Sequence, residues 1–321
     1  MRAVRVTDLS GPDGVQVVEV DEPGADGGVL IEVQAAGISF PDLLLSRGLY
    51  QMKPDLPFTL GSEAAGIVRE APDESELSPG DRVAAIVFGG FADLAVGQPP
   101  LTFPLPEELS FQQGAALVMN YHTAHFALKR RAELREGETL LVQGAAGGVG
   151  TAAIQVGRAL GARVIGVVSS DAKERIAREA GADEVIRSTA DWKASVRELT
   201  DGAGAHVIYD PVGGERFDES IRALATEGRL VVIGFTEGQI PKVAVNRLLL
   251  RNVSVVGAGW GAFAFERPDY LREVGEDLER MVREGFVKPI VGKTYAIDEV
   301  PSALRDLDER RAVGKLVLEV G

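Results

Sequence analysis

Cysteine is absent from the 321-residue chain, which excludes disulfides, thiolate metal sites and a cysteine nucleophile. Histidine is nearly absent: only His122, His125 and His206 occur. The first two lie three apart on a stretch with helical spacing and no third ligand is near in sequence, so these are read as packing or surface histidines and no metal site is expected. Positive charge is scarce, with 34 basic against 48 acidic residues and a net charge of −14. No Lys/Arg-rich run interrupts that balance, which repels the phosphates of nucleic acids and anionic lipids, so neither partner is expected. No apolar run reaches membrane-spanning length, and Met1–Val6 alternates like a strand without a signal-type apolar core. The expected compartment is the cytoplasm. There is no internal repeat and no low-complexity linker.

An apolar fraction of 45% and this length favour two domains, each with a core. The most informative stretch is Gly144-Ala145-Ala146-Gly147-Gly148-Val149-Gly150. It follows the apolar run Thr139–Val142 and opens a helical pattern that continues to Leu160. A side chain at Gly147 or Gly148 would keep a ligand off the backbone, and one at Gly150 would hold the helix off the strand. Bare glycines let a pyrophosphate settle on the amides and positive dipole end of the helix.

To about residue 110 the chain shows short strands broken by Gly, Pro and Asp: Arg2–Val6, Gln16–Val20, Leu30–Ala36, Ala64–Val68, Arg82–Val87 and Phe91–Val96, with a short helix at Asp42–Arg47. This is an all-β, barrel-like pattern. Helical spacing runs from Phe111 to Ala132, and beyond Thr139 strands alternate with helices. The strands are Leu140–Gln143, Arg163–Val168, Glu184–Ile186, Val207–Val212, Leu230–Gly234 and Val253–Val256; the helices after the glycine stretch include Asp171–Ala180, Ala190–Leu199, Glu215–Leu224 and Val243–Leu250. Six strands joined by helical crossovers imply a doubly wound parallel α/β sheet. Helices at Tyr270–Glu284 and Asp298–Arg310 and a strand at Lys315–Val320 close the chain and are expected to return to the first domain.

The tip of the second parallel strand selects among dinucleotides. A site for NAD usually has an acidic residue there to hold the ribose hydroxyls. Here the strand ends in Ser169-Ser170, whose hydroxyls suit a 2′-phosphate; Lys173 lies one turn further on and Arg187 follows the third strand. This pattern favours NADPH. The alternative makes Ser170 or Asp171 a helix N-cap, Lys173 and Arg187 surface charges, or gives Asp171 the ribose-binding role.

The chain resembles the zinc-independent, zeta-crystallin-like quinone oxidoreductases of the medium-chain dehydrogenase/reductase superfamily. The matching stretches are Gly37–Asp42, Arg47–Tyr50, Gly61–Gly66, Thr123-Ala124, the glycine stretch, Asp210–Gly214, Ile233–Phe235 and Gly314-Lys315. The resemblance implies a GroES-like β-barrel catalytic domain from residues 1–121 and 263–321, a Rossmann domain from 122–262, and NADPH in the cleft between them. Zinc-bearing relatives carry Cys and His where this chain has Ser39 and Ser62, leaving Glu63 alone, so no metal is expected. Residue by residue, the resemblance carries Tyr50 to the mouth of the substrate pocket and Thr123 to the nicotinamide amide. Gly147, Gly148 and Val149 go to the pyrophosphate and Ser169 and Lys173 to the adenosine phosphate; the glycine stretch itself adds Gly144, and the strand tip adds Ser170 and Arg187, to the expected cofactor-binding set. Gly234 and Phe235 go to the nicotinamide side and Lys315 to the cofactor's vicinity. Many relatives have Asn at Ser39 and Tyr at Ser188.

The candidate catalytic residues are Tyr50, as a general acid or an aromatic gate, and Ser39. Asp42 reads as a brace for its helix, and Asp210 as ordering its own loop. Trp260 reads equally as a cleft residue or as a surface or dimer contact. The function implied is reduction of quinones by NADPH without metal. The alternatives are an enone or alkenal double-bond reductase, or a cofactor-binding protein with a structural, sensing or RNA-binding role. The apolar sixth strand, Val253–Val256, would be a sheet edge, and a homodimer pairing through it is expected.

Overall fold

The computed structural model describes every residue except Thr189 and Ala190, so the start expected for the helix at Ala190 lies outside the described residues. The chain forms two compact units: Met1–Met119 with Pro268–Val282 and Lys288–Gly321, and Asn120–Arg267 with Arg283–Val287.

The first unit opens with β1 (Arg2–Val6), β2 (Val15–Glu19), β3 (Val29–Ile38), helix α1 (Phe40–Ser46), β4 (Phe58–Thr59), β5 (Glu63–Glu70), β6 (Arg82–Val87) and β7 (Leu94–Pro104). β3 alternates buried and half-buried residues and then becomes buried throughout. It pairs antiparallel with β5, and its first half also pairs with β7. The run β3–β5–β6–β7 therefore closes on itself into a barrel, which removes its free edges. α1 begins directly after β3, where Asp42 reaches back to accept a hydrogen bond from the Ser39 amide at 2.7 Å, the reciprocal half of an N-capping box.

Helix α2 (Phe111–His125) runs on into a π-helical turn, Phe126–Arg131. The second unit then alternates strands with helices: β8 (Thr139–Val142), α3 (Gly148–Ala159), β9 (Arg163–Val168), α4 (Asp171–Glu179), β10 (Glu184–Arg187), α5 (Trp192–Leu199), β11 (Ala205–Asp210), α6 (Phe217–Ala223), β12 (Leu224–Val232), α7 (Asn246–Arg251) and β13 (Ser254–Gly257). All six strands are parallel, in the order β10-β9-β8-β11-β12-β13. The chain thus starts at β8, winds one way to β10, and returns to wind the other way from β11. This is the doubly wound Rossmann arrangement, with its switch point between β8 and β11. β8 is wholly buried, as a central parallel strand covered on both faces must be.

α8 (Trp260–Ala264), α9 (Pro268–Arg283), β14 (Val291–Ala296), α10 (Val300–Asp308) and β15 (Lys315–Glu319) complete the chain. β15 pairs antiparallel with the second half of β3, Leu316 opposite Ile38, so the tail returns to the barrel sheet. Among the described residues no helix is long and apolar enough to cross a membrane.

Candidate active site

In the Rossmann unit, β8 passes through Gln143 into the glycine loop. Gly144 adopts a positive φ of 60°, and a Cβ there would also press on the side chain of Val212 at 3.3 Å. At Gly150 a Cβ would lie 2.2 Å from the Gly144 carbonyl oxygen, so this glycine is demanded by the contact between α3 and the loop. Gly147 differs. Its φ is −87°, and a Cβ would meet only the Gly144 oxygen, at 3.6 Å. Neither strain nor packing requires glycine at 147, which leaves bare backbone at the start of α3. Gly147 caps that helix without a side-chain hydrogen bond, so the leading amides, Gly148 and Val149 among them, have no partner within the helix. This is the geometry of an anion cradle.

Beside it, β9 ends in exposed Ser169 and Ser170. Ser170 is the N-cap of α4, accepting from the Lys173 amide at 3.4 Å, while the Lys173 side chain is half-buried. Arg187, at the end of neighbouring β10, pairs closely with Asp171 and at 2.7 Å with Glu174. The guanidinium is thus engaged by two carboxylates of α4's first turn. With Arg178, which pairs with Glu174 at 2.9 Å, it offsets the two carboxylates beside the Ser169-Ser170 tip.

On the other side of the switch point the loops after β11 and β12 are laced together. The Ile233 amide donates to the Asp210 carbonyl at 3.0 Å and the Thr236 amide to that of Pro211 at 3.1 Å. Asp210 orders its own loop, its carboxylate accepting from the amides of Val212 and Gly213 at 2.8 and 3.0 Å. Gly234 and Phe235 lie half-buried on the joined loops, and a Cβ on Gly234 would meet only the Pro211 oxygen at 3.6 Å. On α2, Thr123 is the single half-buried residue between Asn120 and Leu128, all others being buried. Trp260 is buried against His122 and Phe265, with ring centroids 5.6 and 5.5 Å away. That burial removes the surface alternative.

The barrel unit brings together residues far apart in sequence. The Lys315 ammonium, 4% exposed, forms an ion pair with fully buried Glu63 and donates to Ser39 Oγ at 2.5 Å. Ser39 in turn donates to Glu63 Oε1 at 2.7 Å, and Glu63 Oε2 accepts the Met119 amide at 3.1 Å. Ser39 thus points its hydroxyl proton at Glu63, and the Lys315 ammonium lies against Ser39 and Glu63 inside the barrel unit. Asp42 is fully buried, which pushes its carboxyl up to about 7 against the Ser39 amide and the Lys315 ammonium, both of which favour the ionised form. Tyr50 is half-buried; burial first, and the charge of Asp42 second, raise its phenol. The loop around it exposes apolar side chains, Leu49 at 68% and Leu56 at 43%.

Two family models match the chain, "Alcohol dehydrogenase GroES-like domain" over residues 25–107 and "Zinc-binding dehydrogenase" over residues 148–277. A quinone oxidoreductase-like protein 2 homolog of Nematostella vectensis is 37% identical over 99% of this chain and 88% of its own length. The chain belongs to the quinone oxidoreductase family. Its solved structural neighbours include a mycobacterial protein complexed with NADPH, 31% identical with a TM-score of 0.92, and the Escherichia coli quinone oxidoreductase complexed with NADPH, 29% identical with a TM-score of 0.91. Both coverages are 100% of each chain.

The family model's zinc does not fit the residues present. Zinc takes nitrogen and sulfur donors in tetrahedral sets, whereas here two serines stand beside an ammonium that already fills the Ser39–Glu63 corner. Among the described residues no group of three or more His, Asp or Glu is placed to hold a metal. Lys315 was legible in the sequence as a candidate site residue, but its partner Glu63 was not. The only signal was negative: a carboxylate left behind where two flanking ligand positions had become serines.

Proposed function

We propose that the protein is an NADPH-dependent, metal-free reductase of quinones. The observation that carries the cofactor half is the tip of β9. Two serine hydroxyls stand where a carboxylate would repel a 2′-phosphate, and the nearest acidic residues, Asp171 and Glu174, are offset by Arg187 together with Arg178, which pairs with Glu174. Ser169, Ser170 and Lys173 would hold the 2′-phosphate. The amides of Gly147, Gly148 and Val149 would hold the pyrophosphate, with Gly144 shaping the loop, and Thr123, Gly234 and Phe235 would orient the nicotinamide. NADPH supplies a hydride and its electron pair.

The chain's own work is chiefly placement and exclusion of water. The exposed apolar side chains beside Tyr50 suit a flat, electron-poor acceptor. As negative charge builds on the acceptor oxygen, the Tyr50 phenol donates its proton, a general-acid role of about 10²–10⁴-fold in comparable sites. Ser39 and Lys315 support that end of the barrel electrostatically and do not touch the acceptor. The test is oxidation of NADPH by 1,2-naphthoquinone, compared with NADH and with a simple enone. Faster turnover with NADPH and the quinone supports the reading. A protein that binds NADPH but oxidises it with no quinone overturns it, and preference for the enone reassigns it as a double-bond reductase.

The subunit is proposed to form a homodimer through β13. That strand is the free edge of the sheet, and nearby α7 exposes Leu249 at 76% and Leu250 at 78%, an apolar surface of the kind monomers rarely leave open.

A further inference from the structure

The barrel unit seals two carboxyl groups around one ammonium, and the hydride-transfer reading leaves one of them without a task. Glu63 is fully compensated by Lys315, Ser39 and the Met119 amide. Asp42 is not. Its Oδ2 accepts the Ser39 amide at 2.7 Å, but its Oδ1 is buried without a hydrogen-bond partner, and so is Ser62 Oγ. Ser62 nevertheless lies beside Asp42, near enough to favour its ionised form. Asp42 contacts the Ser39 amide ahead of its own helix; Lys315 on β15 and Glu63 and Ser62 at the start of β5 act on its carboxyl, and its charge in turn acts on the Tyr50 phenol beyond α1. An extra uncompensated carboxylate in such a setting is costly, whereas a proton on Oδ1 removes the charge and supplies the missing donor.

We propose that Asp42 is stored as the neutral acid beside Ser62 and acts as a positioning residue for the reaction, its ionisation being an electrostatic brake on proton donation by Tyr50. This rests on the reading of Tyr50 as the proton donor. With Asp42 neutral, the phenolic O–H bond breaks as the acceptor, having received a hydride, takes that proton on oxygen; the phenolate regains a proton from water, and Asp42 keeps its own. With Asp42 ionised, the added negative charge holds the phenolic proton back. Burial places the changeover at about 7.

The decisive measurement is ¹³C NMR of the whole protein, labelled at the Asp carboxyl and Tyr Cζ carbons, in wild type, D42N and S62A. One Asp resonance titrating near 7 in the wild type, absent from D42N and displaced in S62A, is expected. The Tyr50 phenol is expected to titrate lower in D42N than in the wild type. If every Asp carboxyl titrates below about 5, within the ordinary range, storage of the proton is overturned; if Tyr50 titrates alike in both proteins, the brake is overturned. With 1,2-naphthoquinone, kcat of the wild type is expected to fall several-fold from about pH 6 to about pH 9, while D42N stays flat. A wild-type-like break in D42N overturns the brake. Absence of any quinone turnover instead overturns the reductase reading, and the resonances still decide the state of Asp42.

Discussion

Arg187 turns a surface ion pair into a determinant of ligand choice. Alone, a half-exposed pair of this kind contributes little to stability. Its position beside Ser169-Ser170 gives it a second effect, because unpaired Asp171 and Glu174 would repel a phosphate at the same tip. R187A is therefore expected to leave the thermal midpoint almost unchanged, to raise KM for NADPH about five- to twentyfold, equivalent to about 1–2 kcal/mol, and to change KM for NADH much less. Steady-state kinetics with both cofactors checks it. Asp42 makes a different residue-level prediction. Its folded-state pKa is raised, so the neutral form is favoured by folding; the stabilisation is complete below the ordinary Asp range and is lost as pH climbs to about 7. The full contribution is roughly 4 kcal/mol. Denaturant unfolding at about pH 5 and about pH 8 should show the wild type losing a substantial part of this relative to D42N, which lacks the titrating group. Carboxylates held low by hydrogen bonds and cations, such as Asp93 by Arg2 and Asp306 by the Tyr295 hydroxyl and Arg311, act in the opposite sense and at lower pH, so they do not obscure the comparison.

Between β8 and α3, two glycines three positions apart separate folding from binding. Gly150 faces the Gly144 oxygen at 2.2 Å from any added Cβ, whereas Gly147 faces open space. G150A is expected to lose about 1–3 kcal/mol of stability or more, since backbone and not a flexible side chain must yield. G147A is expected to stay within about 0.5 kcal/mol of wild type and to bind NADPH at least about tenfold more weakly. A thermal melt together with a nucleotide-fluorescence titration on each variant separates the two. The glycine pattern and its flanking apolar runs made this element legible before any fold was known. Other elements were not. β4 is two residues long, and β14 carries exposed Lys293 and Thr294 among few apolar residues, so neither produces a periodic signal. β7 begins at Leu94 instead of Phe91 and continues to Pro104, because prolines at 99 and 100 read as a break although the strand continues through them. The short helix Trp260–Ala264 was hidden by its own glycines.

At the scale of the molecule, the proposed dimer would use a surface that folding does not consume. Leu249 and Leu250 are exposed next to the free edge strand, so L249D/L250D is expected to fold normally. Light scattering should give the wild type twice the 34.1 kDa subunit mass and the variant a monomer; a monomeric wild type at micromolar concentration refutes the dimer. The sequence by itself determined the sheet of six parallel strands, the phosphate cradle and the serine-ended second strand. Each is written in neighbouring residues, where apolar periodicity, glycine and helix capping act locally. Only the tertiary structure decided what Ser39, Asp42, Glu63 and Lys315 do. The barrel joins Lys315 to partners 276 and 252 positions away, and at those separations chain pattern carries no register. Burial then gathers Ser39, Asp42, Glu63 and Lys315 into one charge cluster, with Asp42 still bracing its helix, because in a dry interior each charge must find its compensation within hydrogen-bonding reach.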